Sequence, residues 1–363
     1  MIRQKINEFS GPIAIALSGG IDSMVAAVLL CKAGNEVIGI HFETGLERNI
    51  TTTPFDINNT TSHRLKEITS TLNIPLVIIN LSDAFKTNVI LPFISEYKDG
   101  RTPNPCMICN REIKFGALLE KAKTLGACLL ATGHYARVYK NATIEETRLL
   151  RGIDKNKDQS YFLAMLSHKQ LENAFFPLGG YTKNEVVSLA KELGINSICG
   201  TESQDVCFAQ GHKYSDFIAG HLGEQDTPGT IVDIAGNPIG THQGIIHYTI
   251  GQRRGIGIPG RCPNYVIKID KKKNLIVVGT KSLLYTDTCL IKDINWLVPP
   301  HDQKIRADIR LRFKHKEVPA TITCLDVKTA VIHFDQPQAA VTPGQGGVFF
   351  QGETVLGGGW ISA

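Results

Sequence analysis

Two short stretches carry residues whose types and spacing could do chemistry. In "AIALSGGIDSMVAAVLL" an apolar run leads into Ser18-Gly19-Gly20-Ile21-Asp22-Ser23, and a second apolar run follows. Two glycines let the backbone turn tightly and approach an anion, and the start of a helix offers N–H groups and the positive end of its dipole. Ser18 and Ser23 can add hydroxyl donors. An ordinary strand-to-helix turn with a Ser or Asp cap would look the same. No Lys precedes the final Ser, and this loop is not of the G-x-G-x-x-G form, so it is neither the γ-phosphate loop nor the dinucleotide fingerprint.

The second stretch is "TPNPCMICNREIKF", Thr102 to Phe115, with Cys106 and Cys109 three apart. A structural zinc site needs four N or S ligands, usually as two pairs. No second C-x-x-C exists, and Cys199 and Cys207 lie eight apart, which disfavours zinc. A thioredoxin-like pair would open a helix after a strand, whereas prolines precede this one. A third cysteine, Cys207, sits in "TESQDVCFAQG" between Val206 and Phe208. That setting suits a core residue, but Glu202, Ser203, Gln204, Asp205 and Gln210-Gly211 suit a loop, and loops carry chemistry disproportionately.

A third stretch, "KIRADIRLRFKHKEV", alternates Arg310, Arg312, Lys314 and Lys316 with Ile309, Leu311, Phe313 and His315. As a strand it would present one basic face. Such a face suits phosphate contacts, or it guards a sheet edge by charge. Arg253-Arg254 is a weaker phosphate candidate, and Lys271 to Lys273 reads as a hairpin turn.

The elements that position these residues follow from pattern. At 363 residues the chain predicts two or three domains. Its 42% hydrophobic content allows real cores, its 20% charged content argues against disorder, and a net charge of +5 excludes few partners. No run of about eighteen apolar residues predicts a membrane span, and "MIRQKINEFSG" holds no apolar signal core. A cytoplasmic protein without membrane partners is expected. Nine cysteines, an odd number at irregular spacing, do not describe a disulfide framework.

Short apolar strands at Pro12–Leu17, Glu36–Phe42, Pro75–Asn80 and Ala127–Thr132 alternate with helical stretches "SMVAAVLLCKAG" and "NREIKFGALLEKAKTLG". This predicts a parallel α/β sheet. "TKNEVVSLAKELG" adds a helix with a capping box from Thr182 to Glu185. After about residue 210 Gly and Pro become dense. From about 280 strands and turns run to the end, as in a small β-barrel. The expected domains are residues 1–210, 211–280 and 281–363.

The S-G-G-x-D-S form resembles the pyrophosphate loop of the PP-loop ATPases. With "GRTPNPCMICNREIKFG", "ATGHYAR", "KDQSYFL", "SQDVCF", "YTIGQRRGIGI" and "TPGQGGVFF" in this order, nearly the whole chain looks like the tRNA-specific 2-thiouridylases. The resemblance implies a Rossmann-like PP-loop domain, a small central domain and a C-terminal tRNA-binding β-barrel. It implies ATP against Ala16, Leu17, Ser18, Gly19, Gly20, Ile21, Asp22 and Ser23, with Phe42 and Gly133 nearby and Mg²⁺ near Asp22. Cys207 matches the persulfide carrier and Cys109 its partner. Asn104, Pro105 and Cys106 match positions beside the target base. His134, Lys157, Asp158, Gln159, Arg312, Phe313 and Gln345 match tRNA-contacting positions. The implied partners are a tRNA with a wobble uridine and a persulfide sulfur-relay donor protein. Cys106 stands where one form of the motif has Asp, so a [4Fe–4S] cluster on Cys106, Cys109 and Cys207 is the alternative. Another adenylating PP-loop enzyme is the more distant one.

Overall fold

The computed structural model describes residues 9–46, 65–66, 69–70, 72–141, 146–195, 206–209, 214–222, 227–258 and 262–362. Cys199, Thr201–Asp205 and Gln210-Gly211 lie outside them. The chain divides into two compact units. One gathers Met1–Val89, Cys106–Gln204 and Gly352–Val355; the other gathers Ile90–Pro105, Asp205–Gln351 and Leu356–Ala363.

The first unit holds β1 (Ile13–Ala16), β2 (Val37–Glu43), β3 (Leu76–Asn80), β4 (Leu129–Ala131), β5 (Ala136–Asn141), β6 (Glu146–Arg151) and β7 (Ala174–Phe175). Five of these form a sheet in the order β3-β2-β1-β4-β7, parallel at every pairing. The four expected strands are therefore present. They read as unbroken apolar runs because helices cover the sheet: Ile13 and Ile15 share a core with Met24, Val25 and Leu30 of the helix Ile21–Lys32 and with Val186 and Ala190 of the helix Lys183–Glu192. Strand order runs outward from β1 to β2 and β3, then crosses to β4 and β7. The crevice beyond the carboxyl ends of β1 and β4 is thus the topological switch point, where doubly wound sheets bind ligands. The β5–β6 hairpin, with Ala136 opposite Arg151, is extended at Leu150 by Thr354, and Arg137 pairs with Glu353 at 2.7 Å.

"NREIKFGALLEKAKTLG" is helical but not uniformly α. A helical turn Pro105–Ile108 passes into a π-helix, Cys109–Leu118, and then into an α-helix, Leu119–Thr124. The winding is visible where the Leu119 N–H donates to the Lys114 carbonyl five residues back.

The second unit contains the helices Leu91–Lys98 and Tyr214–Leu222 and two sheets. β8 (Gly229–Val232), β9 (Pro238–His242), β10 (Tyr265–Asp270) and β11 (Leu275–Gly279) form one in the order β10-β11-β8-β9, around Ile231, Val266, Ile276 and Val278. Lys271 to Lys273 lie in the β10–β11 turn, as expected. The barrel comprises β12 (Tyr285–Trp296), β13 (Lys304–Arg310), β14 (Val318–Cys324), β15 (Ala330–Ala339), β16 (Gly346–Gln351) and β17 (Thr354–Ser362). Their order is β12-β15-β14-β13-β16-β17, and pairs such as Leu290 with Ser362 join β17 back to β12. Six strands close, leaving no exposed edge around Ile291, Ile309, Ile332 and Phe349. Among the described residues no helix is long and apolar enough to cross a membrane.

One expectation is corrected. The basic stretch is not a single strand, because β13 ends at Arg310 and Ile309 already faces Val318 of the antiparallel β14. Residues 311–317 must turn the chain back. Arg310 leaves the expected basic face: it is 7% exposed, ion-paired with Glu317 and 5.2 Å from the Phe350 ring centroid. Arg312, Lys314 and Lys316 remain exposed on the turn. Glu317→Ala should therefore cost about 3 kcal/mol, in the range for breaking a buried pair. Arg312→Ala should stay within about 0.5 kcal/mol. Urea unfolding with unchanged m-values checks both.

Candidate functional site

The loop after β1 is shaped to face the switch point. Gly19 adopts φ +82°, a conformation other residues rarely take. The helix Ile21–Lys32 begins at Gly20, and no side chain caps it. Its first-turn N–H groups are thus available to an anion, reinforced by the helix dipole. The Ser23 hydroxyl donates to the Gly20 carbonyl at 3.0 Å and accepts from the Ser18 N–H at 3.3 Å, closing the loop on itself. Behind it, His41 of β2 is buried and its Nδ1–H donates to the Leu17 carbonyl at 2.7 Å.

Gly133, just past β4, completes the crevice. A Cβ there would lie 2.9 Å from the Ser23 nitrogen, so only glycine lets this backbone approach the loop. Phe42 occupies the carboxyl end of β2, two residues beyond the pairing of Ala16 with Ile40. The structure thus brings together the loop residues and Gly133, with Phe42 on the neighbouring strand.

Asp22 is the loop's acidic group. Both carboxylate oxygens accept from Lys183 Nζ, at 2.8 and 2.9 Å, and Oδ1 also accepts from the Tyr135 hydroxyl at 2.8 Å. Sequence reasoning missed Lys183, although its position was a signal. It is the first residue after the Thr182 cap, where the helix dipole disfavours a cation. Its backbone is pinned as well, the Lys183 N–H donating to Asp154 Oδ2 at 2.9 Å. The capping box from Thr182 to Glu185 is present as expected.

The cysteine segment begins in a clamped loop. Gln345 Nε2 donates to the Thr102 and Pro103 carbonyls at 3.0 and 3.2 Å, and the Thr102 N–H donates to the Pro343 carbonyl. Gly344, at φ +91°, lies so close that a Cβ would meet the Thr102 carbonyl oxygen at 2.9 Å. Asn104 and Pro105 are buried behind this clamp; Cys106 is exposed and Cys109 half-buried.

Cys207 is exposed on a turn, anchored through its neighbour. Phe208 is 7% exposed and meets Phe93 edge-on at 5.0 Å and Phe217 at 5.0 Å. Cys106 and Cys109 belong to the first unit and Cys207 to the second. Among the described residues no three Cys, His, Asp or Glu side chains are grouped to hold a metal ion.

Three of the remaining expected RNA contacts, Asp158, Gln159 and His134, have side chains engaged within the fold. Asp158 is 3% exposed and accepts from the Gly152 and Ser160 N–H groups at 3.1 and 3.0 Å. Gln159 Oε1 accepts from the Tyr135 N–H at 3.0 Å. His134 is buried between Thr132 and Lys114. Lys114 can only donate, so His134 Nε2 accepts it at 3.4 Å, and Nδ1–H donates to the Thr132 hydroxyl at 2.7 Å. Burial first, and the Lys114 charge second, hold the imidazole well below its ordinary pKa. Lys157 is half-buried, Arg312 exposed and Phe313 half-buried.

Residues 12–211 match the family described as tRNA methyl transferase HUP domain, 215–280 the tRNA methyl transferase PRC-barrel domain, and 286–361 the aminomethyltransferase beta-barrel domain. Relatives named tRNA-specific 2-thiouridylase MnmA align almost end to end. That of Desulfosudis oleivorans is 43% identical over 98% of this chain and 96% of its own. That of Geotalea uraniireducens is 42% identical, covering 96% and 94%, and that of Geobacter metallireducens 41%, covering 97% and 96%.

The neutral, buried His134 gives a pH dependence. Below about pH 6.5 the unfolded chain takes up a proton that the folded imidazole refuses. Stability should therefore fall with falling pH, by at most about 1.4 kcal/mol per pH unit from this residue. His134→Gln should flatten that slope in urea titrations between pH 7 and pH 5.

Proposed function

The chain belongs to the tRNA-specific 2-thiouridylase family, and we propose that it converts the wobble uridine of tRNA to 2-thiouridine, with ATP activating the base and a cysteine persulfide delivering sulfur. The observation that carries this reading is the uncapped helix start at Ser18–Ser23, facing the switch point across from Gly133. A pyrophosphate group suits those N–H donors, and the absence of a γ-phosphate lysine fits cleavage between the α- and β-phosphates.

In this reading the residues from Ala16 to Ser23 hold ATP, with Phe42 and Gly133 beside the nucleoside. Lys183 lies against Asp22 and can turn to the pyrophosphate. One carboxylate plus substrate phosphates is an ordinary Mg²⁺ site, so Asp22 fits that ion. Bound there, Mg²⁺ supplies charge neutralisation on the pyrophosphate. The uridine O2 attacks the α-phosphorus and pyrophosphate leaves. This activation is required because a C2 oxygen is a poor leaving group.

Cys207 receives its outer sulfur from a persulfide donor protein. The Cys109 thiolate attacks the Cys207 sulfur, the two residues form a disulfide, and the outer sulfur bonds to C2 as AMP departs with the oxygen. A thiol reductant then restores both cysteines. A thiolate at either position needs nearby positive charge. Asn104, Pro105 and Cys106 border the target base, which must leave the anticodon stack. Arg312, Phe313 and Lys157 contact tRNA directly. Gln345, His134, Asp158 and Gln159 shape the surface that receives it. Catalysis belongs to residues 1–210, RNA binding to 281–363, and 211–280 is the small central domain.

The test is nucleoside mass analysis after incubating a wobble-uridine tRNA with protein, Mg-ATP and sulfide under anaerobic conditions. 2-Thiouridine with AMP in step is expected; neither product from folded protein would sink the reading. Cys207→Ser should abolish donor-dependent thiolation while AMP release persists. Lys183→Met should raise the KM for ATP. Arg312→Ala should reduce the salt slope of tRNA binding by about one, and an unchanged slope would remove that turn from the interface.

A further inference from the structure

We infer that Gln170 is a positioning residue for Cys109, holding in its π-wound form the helix on which that cysteine sits; this rests on the role proposed for Cys109. Gln170 lies on the helix His168–Glu172, far from Cys109 in sequence. Its Nε2 donates to the Arg111 carbonyl at 2.7 Å and to the Phe115 carbonyl at 3.0 Å. Those carbonyls lie one turn apart on the π-helix Cys109–Leu118.

The orientation of the amide is fixed from its other end. Gln170 Oε1 accepts from the Ser167 N–H at 2.9 Å, and the Gln170 N–H donates to the Ser167 hydroxyl at 3.2 Å. A flipped amide would set an oxygen against two carbonyls and an NH₂ against an N–H. One side chain therefore caps its own helix and bonds two carbonyls of the π-helix.

An i to i+5 ring takes more residues per turn than an i to i+4 ring, so rewinding as α would rotate every residue relative to Leu119. Cys109, at the far end, would turn most. Other fixings reinforce the π form. Asn110 Nδ2 donates to the Phe162 carbonyl at 3.1 Å, and the buried Phe115 meets Phe176 edge-on at 5.8 Å. Gly116 permits a close pass, since a Cβ there would lie 2.9 Å from the Arg111 carbonyl oxygen. Of these residues, Gln170 alone bonds the π-helix carbonyls from another helix while closing a cap on its own, so it can be separated from the rest by substitution.

The experiment compares Gln170→Leu, Gln170→Lys and Ser167→Ala in the full chain. Lysine keeps an N–H donor but no acceptor for Ser167; Ser167→Ala weakens the cap alone. Cys109 alkylation by iodoacetamide is followed by peptide mass across pH, with the exposed Cys262, which lies off this helix, as internal reference. In Gln170→Leu the Cys109 rate should depart from wild type relative to Cys262. Thiolation kcat should fall by up to about 10²-fold, the effect of a misplacement near 1 Å, with KM for ATP and tRNA unchanged. Gln170→Lys should recover part of both, and Ser167→Ala should resemble wild type. Wild-type Cys109 alkylation in Gln170→Leu, or equal losses in Ser167→Ala, would overturn the positioning inference by itself. Full turnover in Cys109→Ser would instead remove the role on which it rests.

Discussion

A helix start that no side chain caps leaves its first N–H groups open to water or an anion, and the helix Ile21–Lys32 starts in this way at the end of β1. Much of the first unit serves that condition. The parallel sheet delivers β1 into the loop and brings β4 alongside, so that Gly133 walls the crevice. His41 fixes the carbonyl at the loop's entry. Lys183 and Tyr135 hold the Asp22 carboxylate at the mouth of the loop.

How much of this was legible depends on how local each interaction is. Buried parallel strands announce themselves as apolar runs, and glycines at a strand-to-helix junction announce a tight approach; both were read from the sequence. The Thr182 cap is local and was also read. The end of β13 was not, because alternation continues through residues that the β13–β14 register forces into a turn. Arg310 looked like its neighbours, yet it is buried against Glu317 and Phe350. The π winding depends on Gln170, a donor supplied from a different helix. No local pattern encodes that.

The positions marked by resemblance as RNA contacts divide into two kinds. Arg312 keeps its charge exposed on a turn, where phosphates are reached. Gln345, Asp158, Gln159 and His134 have their polar atoms engaged with backbone or neighbouring side chains. For these the resemblance identifies places where the chain is braced. Likewise Cys207 and Asn104 gain definition from the apolar ring packing of Phe208 and the clamp on Thr102, not from their own bonds alone.

The last strand has a bearing on how the protein is made. β17 closes the barrel against β12, while Thr354 pairs with Leu150 and Glu353 with Arg137 in the first unit. During synthesis from the N-terminus, neither unit has all its partners until residues 352–362 have left the ribosome. The five-stranded parallel sheet can assemble early, since all its strands precede residue 176. The barrel must wait with one seam open, exposing strand edges that invite mispairing. A chain cut off before β17 would therefore carry an intact sheet and an unsealed barrel, a natural substrate for chaperones and proteases.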